Sequence, residues 1–229
     1  MIPPNQPPIR AKLPPKGTGI EQLVWLMAKL RAPEGCPWDR EQDHMTLRLH
    51  AIEEVYELVD SIEAGDDHEM VEELGDLLLQ VVFHAQLGKE RSVFDFDQVC
   101  RTLVEKLLRR HPHVFGSLKA DGVDEVLANW ETIKRAEKQG TKHERPSALD
   151  GIPNHLPALL RAEKLVKKAR KAGLLPKPSK AKLNKARLAK QLFDLAAAAQ
   201  AAGVSAEALL RAETKRRENK LRKSEKSAK

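Results

Sequence analysis

The amino-acid sequence predicts an all-α protein built as a helical bundle. Apolar residues recur at intervals of three and four in five successive stretches, the period of a helix that buries one face. No stretch alternates with the period of two that a half-buried strand shows. Brief connections containing Gly, Pro and Asp join the stretches, as between antiparallel neighbours in a bundle.

Residues 1–18 hold six of the 14 prolines, which predicts a flexible, Pro-rich arm. Ile20, Leu23, Val24, Met27 and Leu30 form the first helical stripe, ended by Pro33, Gly35 and Pro37. Asp39 or Asp43 is placed to cap the next helix. That second helix is expected over about residues 46–64, with Ile52, Val55, Val59 and Ile62 as its stripe. Gly65-Asp66-Asp67 makes a tight connection, with acids where the next helix dipole favours them. The third helix is expected over about 68–88, lined by Met70, Leu74, Leu77, Leu78, Val81 and Val82. A fourth (about 97–110) uses Val99, Leu103 and Leu107 and stops at His111-Pro112. A fifth (about 124–138) uses Val126, Leu127, Trp130 and Ile133. Beyond Gly140 the chain loosens, offers a basic helix near 156–172 and ends in an Ala-, Lys- and Arg-rich stretch. Alanine favours helix but packs little. That stretch is expected to be ordered only where Leu192, Leu195, Leu209 and Leu210 find partners.

Composition narrows the function. The chain has 229 residues, 41% hydrophobic and only 4% aromatic, so its core is mainly aliphatic. No apolar run approaches the ~20 residues of a membrane span, and the N-terminus lacks the apolar region of a secretory signal. Two cysteines, Cys36 and Cys100, make neither a disulfide framework nor a four-ligand zinc site. A cytoplasmic protein with reduced thiols is expected. The formal charge of +7 divides unevenly: residues 176–229 carry +10 and residues 1–175 carry −3. Nucleic acid is therefore unlikely for the body and open for the tail. There is no phosphate-cradling Gly-rich loop, no dinucleotide fingerprint and no serine nucleophile elbow. Cys36 is either a nucleophile or an inert loop thiol. His111 and His113 are either ligands or structural.

The informative feature is a block of acids. Residues 46–76 hold eleven acids and one base, Arg48. Glu54 and Glu57 are three apart and share a helix face, as do Glu73 and Asp76 on the next helix. If the two helices pack antiparallel, the four carboxylates converge. Hard divalent cations take such oxygen ligands. The alternative is a solvated acidic face. Against it stand the repulsion of like charges at helical spacing and the place of Asp76 among Leu74, Leu77 and Leu78.

Gly35-Cys-Pro-Trp-Asp39, Glu53-Glu-Val-Tyr-Glu57, Glu73-Leu-Gly-Asp76 and Arg109-Arg-His-Pro-His-Val-Phe115 together resemble MazG-type nucleoside triphosphate pyrophosphohydrolases. The order and spacing match through about residues 19–139, and Ser147-Ala-Leu-Asp-Gly-Ile-Pro153 continues the match. The resemblance implies an all-α, homodimeric enzyme of that fold, with residues 19–140 as the catalytic domain and 141–175 as a connecting segment. It implies Mg²⁺, with Mn²⁺ as a substitute, and cleavage of a nucleoside triphosphate to the monophosphate and pyrophosphate. It implies Glu54, Glu57, Glu73 and Asp76 as metal ligands, Glu53 or Glu54 as the base that activates water, and a nucleotide-pool housecleaning role. Lys106 and Arg110 are implied as phosphate contacts, Trp130 as a base-stacking platform and Lys134 as a substrate ligand. Long members of the family carry two such domains. Here Gln191-Leu-Phe-Asp-Leu195 resembles Glu73-Leu-Gly-Asp-Leu77 without an acidic partner ahead of it, so residues 176–229 read as a degraded, basic second half. The alternative functions are a non-catalytic helical interaction protein and a nucleic-acid-associated protein acting through the basic tail.

Overall fold

The computed structural model describes residues 16–178 and 183–227. Most of the expected Pro-rich arm lies outside the described residues. Among them the chain forms ten helices and no strand, in order α1 Gly19–Leu30, α2 Pro37–Glu41, α3 His50–Ala64, α4 Asp67–Glu90, α5 Phe96–Arg110, α6 Pro112–Phe115, α7 Val123–Ala136, α8 Ala158–Lys171, α9 Lys185–Ala201 and α10 Ala206–Ser227. The chain divides into two compact units at Lys119/Ala120. α7, expected with the preceding helices, belongs to the second unit.

In the first unit, α4 packs against α1, α3 and α5. Local chemistry fixes the starts. Thr18 accepts from the Glu21 N–H, and Glu21 Oε2 accepts the Thr18 N–H at 2.8 Å, a capping box that opens α1. After α1 the backbone folds back so tightly that a Cβ on Gly35 would lie 2.2 Å from Leu30 O. Only glycine fits there. Asp43 Oδ1 accepts the N–H groups of Met45 and Thr46 at 2.7 and 2.8 Å. That turn delays the second long helix to His50, four residues after its expected start. Gly65, at φ 68°, ends α3 in the left-handed conformation, and the Asp66 side chain caps α4 by accepting from His68 and Glu69. The Gly65-Asp66 connection makes α3 and α4 a packed hairpin.

The core of this unit gathers Met27, Leu47, Val82, Phe83 and Leu87, with Ile20, Leu23, Val24, Leu79 and Phe96 against them. It lies on the C-terminal half of α4. The expected α4 stripe is therefore corrected. Val82 is buried, but Leu74, Leu78 and Val81 remain 50%, 38% and 40% exposed. The α3 stripe behaves alike: Ile52, Val55, Val59 and Ile62 are 41–54% exposed. The periodicity correctly marks faces suited to burial, but within the first unit no described residue covers them.

The second unit has its own core of Leu149, Leu165 and Ala169, joined by Ile152, Leu174, Leu175 and Leu221. α8 packs on α10, and α9 touches α10. Here too the expectation is corrected. Leu192, Leu195 and Leu209 are exposed. α10 is instead docked by Thr214 and Leu221 and by a set of carboxylate contacts. Arg161 and Glu218, both nearly buried, pair at 2.6 Å. Arg222 bridges Glu218 and Asp150, each at 2.6 Å. Glu207 accepts the Ala158 N–H at the start of α8 at 2.9 Å.

Candidate metal centre on the helical hairpin

The α3–α4 hairpin brings Glu54 and Glu57 against Glu73. One carboxylate oxygen from each lies within 4.8 Å of the others. Two of the three come from α3 at a spacing of three, the third from α4 across the pair. Glu54 accepts from the Gln80 side chain at 3.5 Å. Oε2 of Glu73 is buried and has no hydrogen-bond partner. Burial, then the charges of Asp76 and Glu57, push the Glu54 carboxyl above its ordinary range. Burial raises Glu73 as well, followed by Glu57, Glu69, Asp76 and Glu54. Asp76 therefore acts electrostatically on both, although it stands outside the three-carboxylate group. A cluster of acids that strain one another, one oxygen left without a donor, matches what a hard cation would relieve. These residues fit a divalent metal.

Glu53 is turned from this group, with its carboxylate 3.7 Å from Nδ1 of His50. Lys106 and Arg110 are half-buried on α5, four apart and so on one face. Trp130 and Lys134 meet on α7 in the second unit, with the ammonium 4.3 Å from the ring centre, a cation–π contact. His111 Nδ1 lies 2.7 Å from Leu107 O, a bond that ties the end of α5, so the structural reading of this residue is favoured. Cys36 and Cys100 are free thiols. Of the tail's cations, Arg211, Arg216, Arg217 and Arg222 are each engaged by a carboxylate of α10 itself.

Sequence reasoning misses two features. Gln80 stands seven residues after Glu73, two helical turns along the same face, and that spacing could have found it. The stacked pair of His44 and His84, with Nδ1 atoms 2.8 Å apart and Phe94 beside them, had no local signal. Forty residues separate the two.

The fold and this centre define an all-α helical protein carrying a carboxylate group suited to a hard cation. A family profile, the MazG nucleotide pyrophosphohydrolase domain, matches residues 42–115, a span that includes all four expected ligands. The chain is 48% identical over 156 residues to a nucleoside triphosphate pyrophosphohydrolase of Escherichia coli (strain K12), 67% of this chain and 58% of that one. It is 47% identical over 157 residues to the nucleoside triphosphate pyrophosphohydrolase/pyrophosphatase MazG of Thermotoga maritima, 69% of this chain and 59% of that one. An uncharacterized 26.1 kDa protein of Streptomyces cacaoi is 42% identical over 198 residues, 86% of this chain and 78% of its own. The chain belongs to the MazG nucleotide pyrophosphohydrolase domain family. Its match spans somewhat under two thirds of the length of the two named pyrophosphohydrolases.

Proposed function

We propose that the protein is a hydrolase that cleaves nucleoside triphosphates to the monophosphate and pyrophosphate, with Mg²⁺ or Mn²⁺ as its cation. The observation that carries this reading is the meeting of Glu54, Glu57 and Glu73, with one buried oxygen left unpartnered, in a chain of this family. Glu54, Glu57, Glu73 and Asp76 would hold the cation. When bound, it would neutralise the triphosphate and make a bound water more acidic. A carboxylate only partly engaged then takes the proton of the attacking water. Glu54 suits that step better than Glu53, because Glu54 stands in the cluster and burial raises its affinity for a proton, whereas the Glu53 carboxylate lies beside His50. Lys106, Arg110 and Lys134 stabilise charge on the phosphates. Trp130 offers the base a π-face, which suits tolerance among bases.

The reading extends to a homodimer working in the cytoplasm on the nucleotide pool. Ile52, Val55, Val59, Ile62, Leu74 and Leu78 leave a bare apolar face along α3 and α4. A second copy covering that face would bury what a single chain leaves wet. For the cytoplasm, the support is two free thiols and, among the described residues, no helix long and apolar enough to cross a membrane.

The test is a panel of nucleoside triphosphates with Mg²⁺, scored for products. Pyrophosphate and monophosphate are expected. Nucleoside diphosphate and orthophosphate would overturn the assignment.

A further inference from the structure

We propose that a cavity of about 470 Å³ in the second unit binds a phosphate or polyphosphate group, and that the carboxylate of Glu225, near the end of α10, occupies two of its donors in the free protein. The cavity shares Lys134 with the hydrolytic reading and rests on that reading for this one residue, but the proposal concerns direct binding in the absence of any divalent cation.

The segment 147–150 is tied by its own bonds. The Ser147 N–H donates to Asp150 Oδ2 at 3.0 Å, and the Leu149 N–H donates to Ser147 Oγ at 3.1 Å. Lys168 Nζ donates to the carbonyls of Ala148 and Asp150 at 3.2 and 2.8 Å. This leaves the Ser147 hydroxyl and the Ala148 N–H as two fixed donors at the cavity wall. Both are engaged by one carboxylate: Ser147 Oγ donates to Glu225 Oε2 at 2.5 Å and Ala148 N to Glu225 Oε1 at 2.7 Å. A hydroxyl and a backbone N–H aimed at one carboxylate make a pair of charge-assisted hydrogen bonds to an anion. Lys134, Arg145 and Lys168 line the same cavity, and so do Glu131 and Glu144. Glu144 is engaged with the Gly140 N–H at 3.1 Å. An anion therefore already sits on two donors, in a cavity lined by five cationic and three further acidic side chains, and that anion belongs to the protein.

The position of Glu225 makes it a removable occupant. It lies in the last turn of α10, where the helix dipole disfavours a negative charge and where opening is least costly. Arg222, one turn earlier, is bonded to Asp150 and Glu218, so the body of α10 stays docked when the terminal turn lifts. A phosphate group carries more charge and more acceptors than the carboxylate. It can take both donors and draw on the cations beside them.

The experiment is calorimetric titration of pyrophosphate into the full chain in EDTA. Glu225→Gln keeps the shape and removes the competing charge, and should tighten binding about tenfold, within the usual range for coupled sites. Removing residues 224–229 should do the same. Arg145→Ala should weaken binding. Amides in the terminal turn of α10 should exchange faster with pyrophosphate present. A parallel titration with a nucleoside triphosphate distinguishes a nucleotide ligand, which would bind more tightly, from a free polyphosphate. Arg145 has no part in the hydrolytic reading, so Arg145→Ala should weaken pyrophosphate binding in EDTA while pyrophosphate release with Mg²⁺ continues, and failure of the hydrolytic reading and failure of this one are separate results. No binding by wild type and Glu225→Gln, or equal affinity of the two, overturns the proposal.

Discussion

Glu57 is exposed while Glu54 and Glu73, its partners in the cluster, are half-buried. Its charge is among the causes that raise the carboxyls of both. Glu57→Gln or Asp76→Asn should therefore abolish cation-dependent pyrophosphate release while relieving repulsion in the cation-free protein. Melting without metal should occur no lower than in wild type; full activity in both variants would contradict the ligand assignment. A packing residue behaves oppositely. A Cβ added to buried Gly88 would meet the Phe94 ring at 2.6 Å. Gly88→Ala should cost about 1–3 kcal/mol through overpacking, read by urea unfolding, with no loss of cation binding in the folded fraction. How far such residues are legible depends on the separation of their partners. Glu54, Glu57 and Glu73 were readable because helical spacing and one short turn bring them together. The separation of Glu53 from the cluster was not, since adjacent acids look alike until the helix is rotated into place. His44 and His84 were invisible for the same physical reason: only the packed loop before α3 joins them.

Among the elements, the long amphipathic helices announce themselves through periodicity, whereas α2 and α6, with five and four residues, are too short to show any. The role of α10 was least legible. Its composition reads as a solvated basic end, yet its acids bind residues 49–78 positions away, which no local pattern encodes. Those acids give the second unit a defined acid response. Burial raises Asp150, but the Arg222 hydrogen bond, the Ser147 N–H and nearby cations outweigh it and hold it below its ordinary value. Glu218 is likewise raised by burial and lowered further by Arg222 and Arg161. With folded values below unfolded ones, their stabilisation is complete above the unfolded range near pH 4 and is lost as pH falls through the folded values. Acid titration followed by hydrogen exchange in α8 and α10 should show protection falling below about pH 4. Arg161→Met should blunt that response, and Arg161→Ala should destabilise the unit by less than the ~3–5 kcal/mol of a stranded buried charge, because Arg222 still pairs with Glu218. Among the described residues α9 makes no such contact. Leu188, Leu192, Phe193 and Leu195 are exposed on it, so its amides should exchange well ahead of those of α8 and α10.

At the level of the whole molecule, the sequence reading found the all-α class but misjudged what is inside. Hydrophobic period marks a face that wants cover, and cannot say whether the cover comes from the same chain. The α3–α4 face carries the period and stays exposed among the described residues. Ile62→Lys, at a position 54% exposed in the single chain, should shift the protein to monomer in analytical ultracentrifugation while its helical content persists. If sizing of the variant and wild type agrees, the bare face is not a self-interface. A self-covered first unit and a second unit with its own core would also melt by different reaction orders. Where folding and pairing are one event, the transition midpoint depends on protomer concentration; where a unit closes on itself, it does not. Diluting the protein should separate two transitions that coincide in a concentrated sample, the hairpin unit moving down in temperature and the α8–α10 unit holding still. Concentration would then act on the carboxylate-bearing half alone, making dilution a selective perturbant of one half of a single polypeptide.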